Sequence, residues 1–146
     1  MYNKIFVSVL ALIFSANTFA AKVNLDCTII SSLKEKFSTA KNIHCKLKDN
    51  FIKVNLEIDG ETKNVYFDLD ENLIGESKKV ELKTLPARAL NYILQHYPYP
   101  KYNFYECIEF TDDKGFKNYY VAFEKNNQLI TLKLDTKGRM SHFIVS

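Results

Sequence analysis

The chain has 146 residues, 47% hydrophobic and 14% aromatic, and its 20 basic and 17 acidic side chains give a formal charge of +3. So even a balance excludes the basic footprint of a nucleic-acid binder, and the apolar content excludes a disordered tail. A folded protein with an ordinary mixed surface is expected.

Residues 1–20 have the form of an export signal: Lys4, an apolar run from Ile5 to Phe14, then small and polar residues ending in Thr18-Phe19-Ala20. A bilayer span needs about twenty apolar residues, so this run predicts an exported chain, periplasmic or secreted, with no stable membrane span. In that setting Cys27, Cys45 and Cys107 allow one internal disulfide among three pairings. Cys27 and Cys45, which flank the first helix, are the preferred pair; the other reading makes all three small buried hydrophobes.

Leu25, Ile29, Ile30, Leu33 and Phe37 recur at helical spacing and predict an amphipathic helix over residues 26–39. Residues 41–47, 51–58 and 63–70 read as strands, with Asp59-Gly60 as a hairpin turn. Asn72 and Gly138 are expected to take positive φ and turn the chain into a short last strand of each half. Residues 76–83 read as a short charged linker. A second helix opens at Thr84-Leu85-Pro86, carries Leu90, Ile93, Leu94 and Tyr97 as its apolar stripe, and stops at Pro98 and Pro100.

The two halves repeat a pattern. At an offset of 65 residues, Val54, Leu56 and Ile58 fall on Tyr119, Val121 and Phe123, and Val65, Phe67 and Leu69 fall on Ile130, Leu132 and Leu134. At an offset of 60, Ile30, Leu33 and Phe37 fall on Leu90, Ile93 and Tyr97. The fold class predicted is α+β: two tandem helix-plus-antiparallel-sheet units, residues 21–79 and 80–146, with the helices packed on one face of the sheet.

The Leu85-Pro86 helix opening, the Tyr97-Pro98 close, a strand pair, and Leu132-Lys133-Leu134-Asp135-x-x-Gly138 before a terminal strand resemble the PepSY-like family of bacterial secreted proteins, related in architecture to beta-lactamase inhibitory proteins. That resemblance implies small α+β units whose free sheet face meets a partner protein, and a role in inhibiting or modulating other envelope proteins.

No constellation of residues supports catalysis. His44, His96 and His142 are scattered without metal-ligand spacing, and Asp68-x-Asp70-x-Asn72 fails as a calcium loop at Leu73 and Lys79. His44 and Cys45 are strand neighbours and so point to opposite faces. Asp112 and Asp113 lie in a polar loop, where both carboxylates stay solvated. No metal site, cofactor or catalytic residue is predicted.

The positive signal is tyrosine, which occurs nine times in a chain without tryptophan. With Val65, Phe67 and Leu69 inward, Tyr66 points outward beside Asp68; with Tyr119, Val121 and Phe123 inward, Tyr120 also points outward. Lys53, Glu57 and Lys133 line the same outward face. Rings with hydroxyl tips among mixed charges are the composition of a protein-binding surface. The expectation is therefore a module whose open sheet face docks on another envelope or secreted protein through Tyr66 and Tyr120, steered by Lys53, Glu57, Asp68 and Lys133. Tyr99, at the tip of a second aromatic cluster, is a further contact. The alternative is a small-ligand carrier of the cell envelope, which holds an apolar or cationic molecule in an internal cavity between sheet and helices or between the two units.

Overall fold

The structure is a computed structural model that describes residues 31–48 and 50–144. The expected export signal and Cys27 lie outside these residues. Helix α1 (Ser31–Lys36) is followed by strands β1 (Lys41–Lys48), β2 (Phe51–Ile58), β3 (Glu61–Phe67) and β4 (Leu73–Lys79). A 3-10 turn (Leu82–Thr84) then leads to helix α2 (Ala87–His96) and strands β5 (Asn103–Asp112), β6 (Lys117–Lys125), β7 (Gln128–Asp135) and β8 (Met140–Ile144).

The eight strands form one sheet in chain order, β1 to β8. This corrects the expected pair of tandem helix-plus-sheet units. The residues read as a linker are the reason: β4 occupies their first part and Val80 N–H donates to the Cys107 carbonyl at 3.0 Å. Charged side chains at Glu76, Lys78 and Lys79 disguised a strand whose backbone groups need ladder partners. By the clustering of its residues the chain still divides at Glu76 and Ser77, and each part has its own core.

In the first part, β2 and β3 pair antiparallel from Ile52 opposite Phe67 to Ile58 opposite Glu61, through Asp59 and Gly60, both at positive φ. Two consecutive left-handed residues match the right-handed twist of the strands. Leu33 of α1 packs on Cys45, Ile52, Val54, Leu56, Val65 and Phe67, with Phe37 beside them. Period-2 alternation along β2 and β3 puts these residues on one face, where α1 covers them.

The second part repeats the device with β6 and β7, joined by Asn126 and Asn127, again both at positive φ. Its core joins Leu85, Ala89 and Ile93 to Cys107, Val121, Phe123, Leu132 and Leu134. The helix therefore buries Leu85, Ala89 and Ile93, with Tyr97 partly buried behind them, while Leu94, expected in the apolar stripe, is 64% exposed. At a spacing of four residues, small Ala89 brings α2 close to the β7–β8 turn. A Cβ on Gly138, which has a φ of +74°, would lie 3.0 Å from the Ala89 amide nitrogen.

Three turns share one construction. Asp68, Asp112 and Asp135 each accept, on Oδ1, the backbone N–H groups two and four residues on, at 2.8 to 3.0 Å. In each the residue three positions after the aspartate has positive φ: Glu71, Gly115 and Gly138. The expected left-handed residue Asn72 is thus replaced by Glu71. The two hairpins correspond at an offset of 67 residues, as from Asp59 to Asn126 and from Asp68 to Asp135, and not at 65. An even slip of two leaves every side chain on the face that its alternation assigned.

Candidate functional site

The expected open face is not open at its tyrosines. Tyr66 is 1% exposed and Tyr120 is 0% exposed. Beyond the polar residues and Ala122 that alternation assigned to that face, Phe51, Ile108 and Phe110 share it, and all four apolar residues are buried. Phe51 meets the Tyr66 ring at 6.1 Å between centroids, and Ile108 stands opposite Tyr120. An aromatic ring with apolar cross-strand neighbours is packed by them.

The charged residues assigned to that face also have internal partners. Lys53 stands opposite Tyr66 with its Nζ 6.0 Å from the ring centroid, and Lys133 stands opposite Tyr120 at 5.9 Å. Glu57 accepts from the Asn42 side-chain amide at 2.8 Å, and Asp68 holds its turn through Asp70 and Asn72. The structure thus pairs Lys53 and Lys133 with the two tyrosines, while Glu57 and Asp68 make exposed hydrogen bonds elsewhere. Burial pushes the Tyr120 phenol well above its usual range, with a smaller contribution from Asp112, and its hydroxyl has no hydrogen-bond partner among the described residues. Thr131 Oγ1 on the same face of β7 is likewise buried and unpaired.

Tyr99 is where an exposed aromatic was expected, at 82% exposure. The surrounding surface is built from the helix end upward. Tyr97 N–H closes α2 on the Ile93 carbonyl at 2.8 Å, and Pro98 prevents a further turn. The Tyr97 ring stacks on Phe123 at 5.1 Å and meets Tyr102 edge-on at 5.0 Å and Tyr92 at 6.5 Å. Tyr92 stacks on His96 at 3.9 Å, while His96 Nδ1 lies 3.0 Å from the Tyr92 carbonyl and carries the proton there, since that oxygen can only accept. On the other side, Phe104 meets Phe123 edge-on at 6.2 Å. Lys101 and Lys125 hold their ammonium groups 5.7 and 5.0 Å from the Tyr102 ring. Burial raises the Tyr97 phenol pKa, and the Tyr92 and Tyr102 phenols add to it.

Phe104 and Tyr105 extend this cluster to the surface, at 48% and 44% exposure. Between Phe104 and Glu106 the register against β6 slips by one residue, so Tyr105 is the extra residue of a β-bulge. A bulge re-aims side chains that a regular strand would alternate, and here Asn103, Phe104 and Tyr105 are all exposed in succession. Sequence reasoning named this cluster but ranked only Tyr99 in it. The signal for the rest was the unbroken Asn103-Phe104-Tyr105 run, which breaks period-2 alternation.

Among the described residues no group of three or more His, Cys, Asp or Glu could hold a metal ion, and no helix is long and apolar enough to cross a membrane. Cys45 is disulfide-bonded and Cys107 is a buried free thiol.

No protein-family model and no curated protein matches the chain. Solved structures do. A BLIP-like protein from Bacteroides fragilis matches with a TM-score of 0.66 and 17% identity over 86% of this chain and 89% of that one. A DUF2874 family protein from Bacteroides uniformis has a TM-score of 0.66 and 13% identity, with 81% and 89% covered. A candidate periplasmic protein from Bacteroides eggerthii has a TM-score of 0.66 and 16% identity, with 84% and 91% covered. At these identities the likeness is one of fold: the chain has a BLIP-like fold.

Proposed function

We propose that the chain is an exported, non-enzymatic module that binds another envelope or secreted protein and blocks or modulates it by steric occlusion. The contact surface is the aromatic rim of Tyr99, Phe104 and Tyr105. The observation that carries this reading is the exposure of these three rings beside a cluster locked by mutual ring contacts. Large aromatics on a rigid base bury area on a partner at low entropic cost and supply most of the energy of protein interfaces. Lys101 and Lys125 at the same surface favour an acidic partner. The BLIP-like description of one structural relative and the periplasmic description of another fit this reading.

On this reading Tyr66, Tyr120, Lys53 and Lys133 set the scaffold and the rim meets the partner. The hollow beside α2, a half-open groove lined by both polar and apolar residues, does not favour the carrier alternative. The test is capture of envelope proteins on the purified protein and on a Tyr99→Ser/Phe104→Ser variant, with identification by mass spectrometry. The native rim is expected to retain a partner that the variant loses at unchanged melting temperature. Equal capture by both would sink the proposal.

A further inference from the structure

A second feature of the α2 side is independent of the aromatic rim. Arg88, Asn91, Tyr92 and Gln95 fall at the i, i+3, i+4, i+7 positions of one helical stripe, which flanks the one that packs Ala89 and Ile93. Facing them across a groove of about 560 Å³ are Arg139 and Met140 of the β7–β8 hairpin. The groove shares only Tyr92 with the aromatic cluster.

Three properties define what it fits. Its lining carries two guanidinium groups and no carboxylate. Arg139 gives one N–H to Asp135 through Nε, which leaves the donors at the end of its fork, and Arg88 makes no ion pair among the described residues. β8, whose first residue Met140 lines the groove, pairs with β7 and is the last strand in the order, so among the described residues its outer backbone groups have no partner strand. At such an edge an extended segment can add as another strand, with nearby side-chain pockets setting the choice of sequence.

We propose that this groove takes an extended peptide carrying an acidic side chain. The peptide backbone pairs with the β8 edge and its carboxylate lies between Arg88 and Arg139. Asn91 and Gln95 donate and accept along the opposite wall, and Tyr92 and Met140 cover an apolar neighbour of the acid. A guanidinium pair suits a planar carboxylate better than any neutral group.

The test is selection of short random linear peptides, displayed on phage, against the purified protein and against Arg88→Glu. Arg88 is exposed on the helix surface, so this change leaves the core intact; Asn91→Trp, which fills the groove without changing charge, is the second variant. Wild-type selection is expected to enrich peptides with aspartate or glutamate, and a synthesised winner should bind both variants at least about tenfold more weakly. It should also slow amide exchange over residues 140–144 and bind Tyr99→Ser/Phe104→Ser unchanged, so failure here is distinct from failure of the rim. The proposal is overturned by enrichment without acidic residues, by no enrichment, by equal binding to Arg88→Glu, or by no slowing at β8. N-acetylglutamate binding as tightly as the peptide, or a dimer of the protein occupying the edge, would overturn it too.

Discussion

Lys133 stands directly across from Tyr120 on the neighbouring strand, with its ammonium nitrogen 5.9 Å from the ring centroid, and Lys53 holds the same relation to Tyr66 at 6.0 Å. At the 67-residue offset Lys53 corresponds to Tyr120 and Tyr66 to Lys133, so the pair is kept while its members exchange strands. A lysine that covers a ring in this way shields apolar surface with its stem while its charge faces the π system. Replacing Lys133 by Met keeps the stem and removes the charge, and is expected to cost about 0.5–1 kcal/mol in denaturant unfolding.

The buried hydroxyls of Tyr120 and Thr131 offer a sharper measurement. Each is buried with no hydrogen-bond partner among the described residues, and an unsatisfied buried hydroxyl costs about 1–3 kcal/mol. Tyr120→Phe and Thr131→Val are therefore expected to leave stability unchanged or to raise it by up to about 1 kcal/mol, whereas Tyr120→Ala should lower it by about 3–5 kcal/mol through lost packing. A large loss in Tyr120→Phe would show that the hydroxyl is bonded.

Gly138 is the tightest backbone position. Its φ of +74° and the approach of the Ala89 amide to within 3.0 Å of an added Cβ make Gly138→Ala doubly unfavourable. A cost of about 1–3 kcal/mol is expected from conformation alone. Gly60, with φ of +77° and open space around it, is expected to tolerate alanine with a smaller loss, measured by the same melts.

Asp135 makes the β7–β8 turn sensitive to acid. The Arg139 amide, then the Arg139 side chain and the Lys137 amide, hold its carboxyl below the usual carboxylate value. A group with a depressed folded pKa stabilises the fold above its unfolded pKa, and that contribution fades as pH falls through the folded value. Protection of the amides at residues 137–139, taken relative to their intrinsic exchange rate at each pH, should therefore fall below about pH 4. In Asp135→Asn, which keeps the acceptor oxygen, this pH dependence should vanish.

Cys107 is expected to be chemically silent in the folded protein. Burial, reinforced by Glu109 and Glu106, pushes its thiol up to about 12, so almost no thiolate exists at neutral pH. Iodoacetamide should label it only after unfolding, as read by intact mass. A non-reducing digest should at the same time contain the proposed Cys27–Cys45 linked peptide; a labelled Cys45 without reductant would exclude the bridge.

How much of this was legible in the sequence depends on which physical signal was read. Strand β2 was placed residue for residue because Ile52, Val54 and Leu56 alternate cleanly with polar residues. The Asp59-Gly60 turn followed from its left-handed pair. After Asn72 only a short last strand was expected; the second part of β4, Glu76 to Lys79, was read as linker because a stretch rich in Glu and Lys has no alternation to show, and with it went the continuity of the sheet. The outward tyrosines were misjudged for a related reason: the pattern tells on which face a side chain lies, but whether that face meets water depends on all strands together. Ile108 and Phe110 lie on β5, a strand not used in that argument, and Phe51 opens β2 two residues before the Lys53 that was counted. Tyr99 needed only a loop between two prolines, which is local, and local reasoning sufficed.

The bulge at Tyr105 has a consequence for how such a surface changes over time. Because the extra residue absorbs the irregularity before Glu106, the pairing from Glu106 onward, including buried Cys107 opposite Val121, is set without reference to residues 99–105. The rim can exchange its side chains, or gain and lose a residue, while the ladder beneath keeps step. Selection can thus retarget the molecule without redesigning what holds it together.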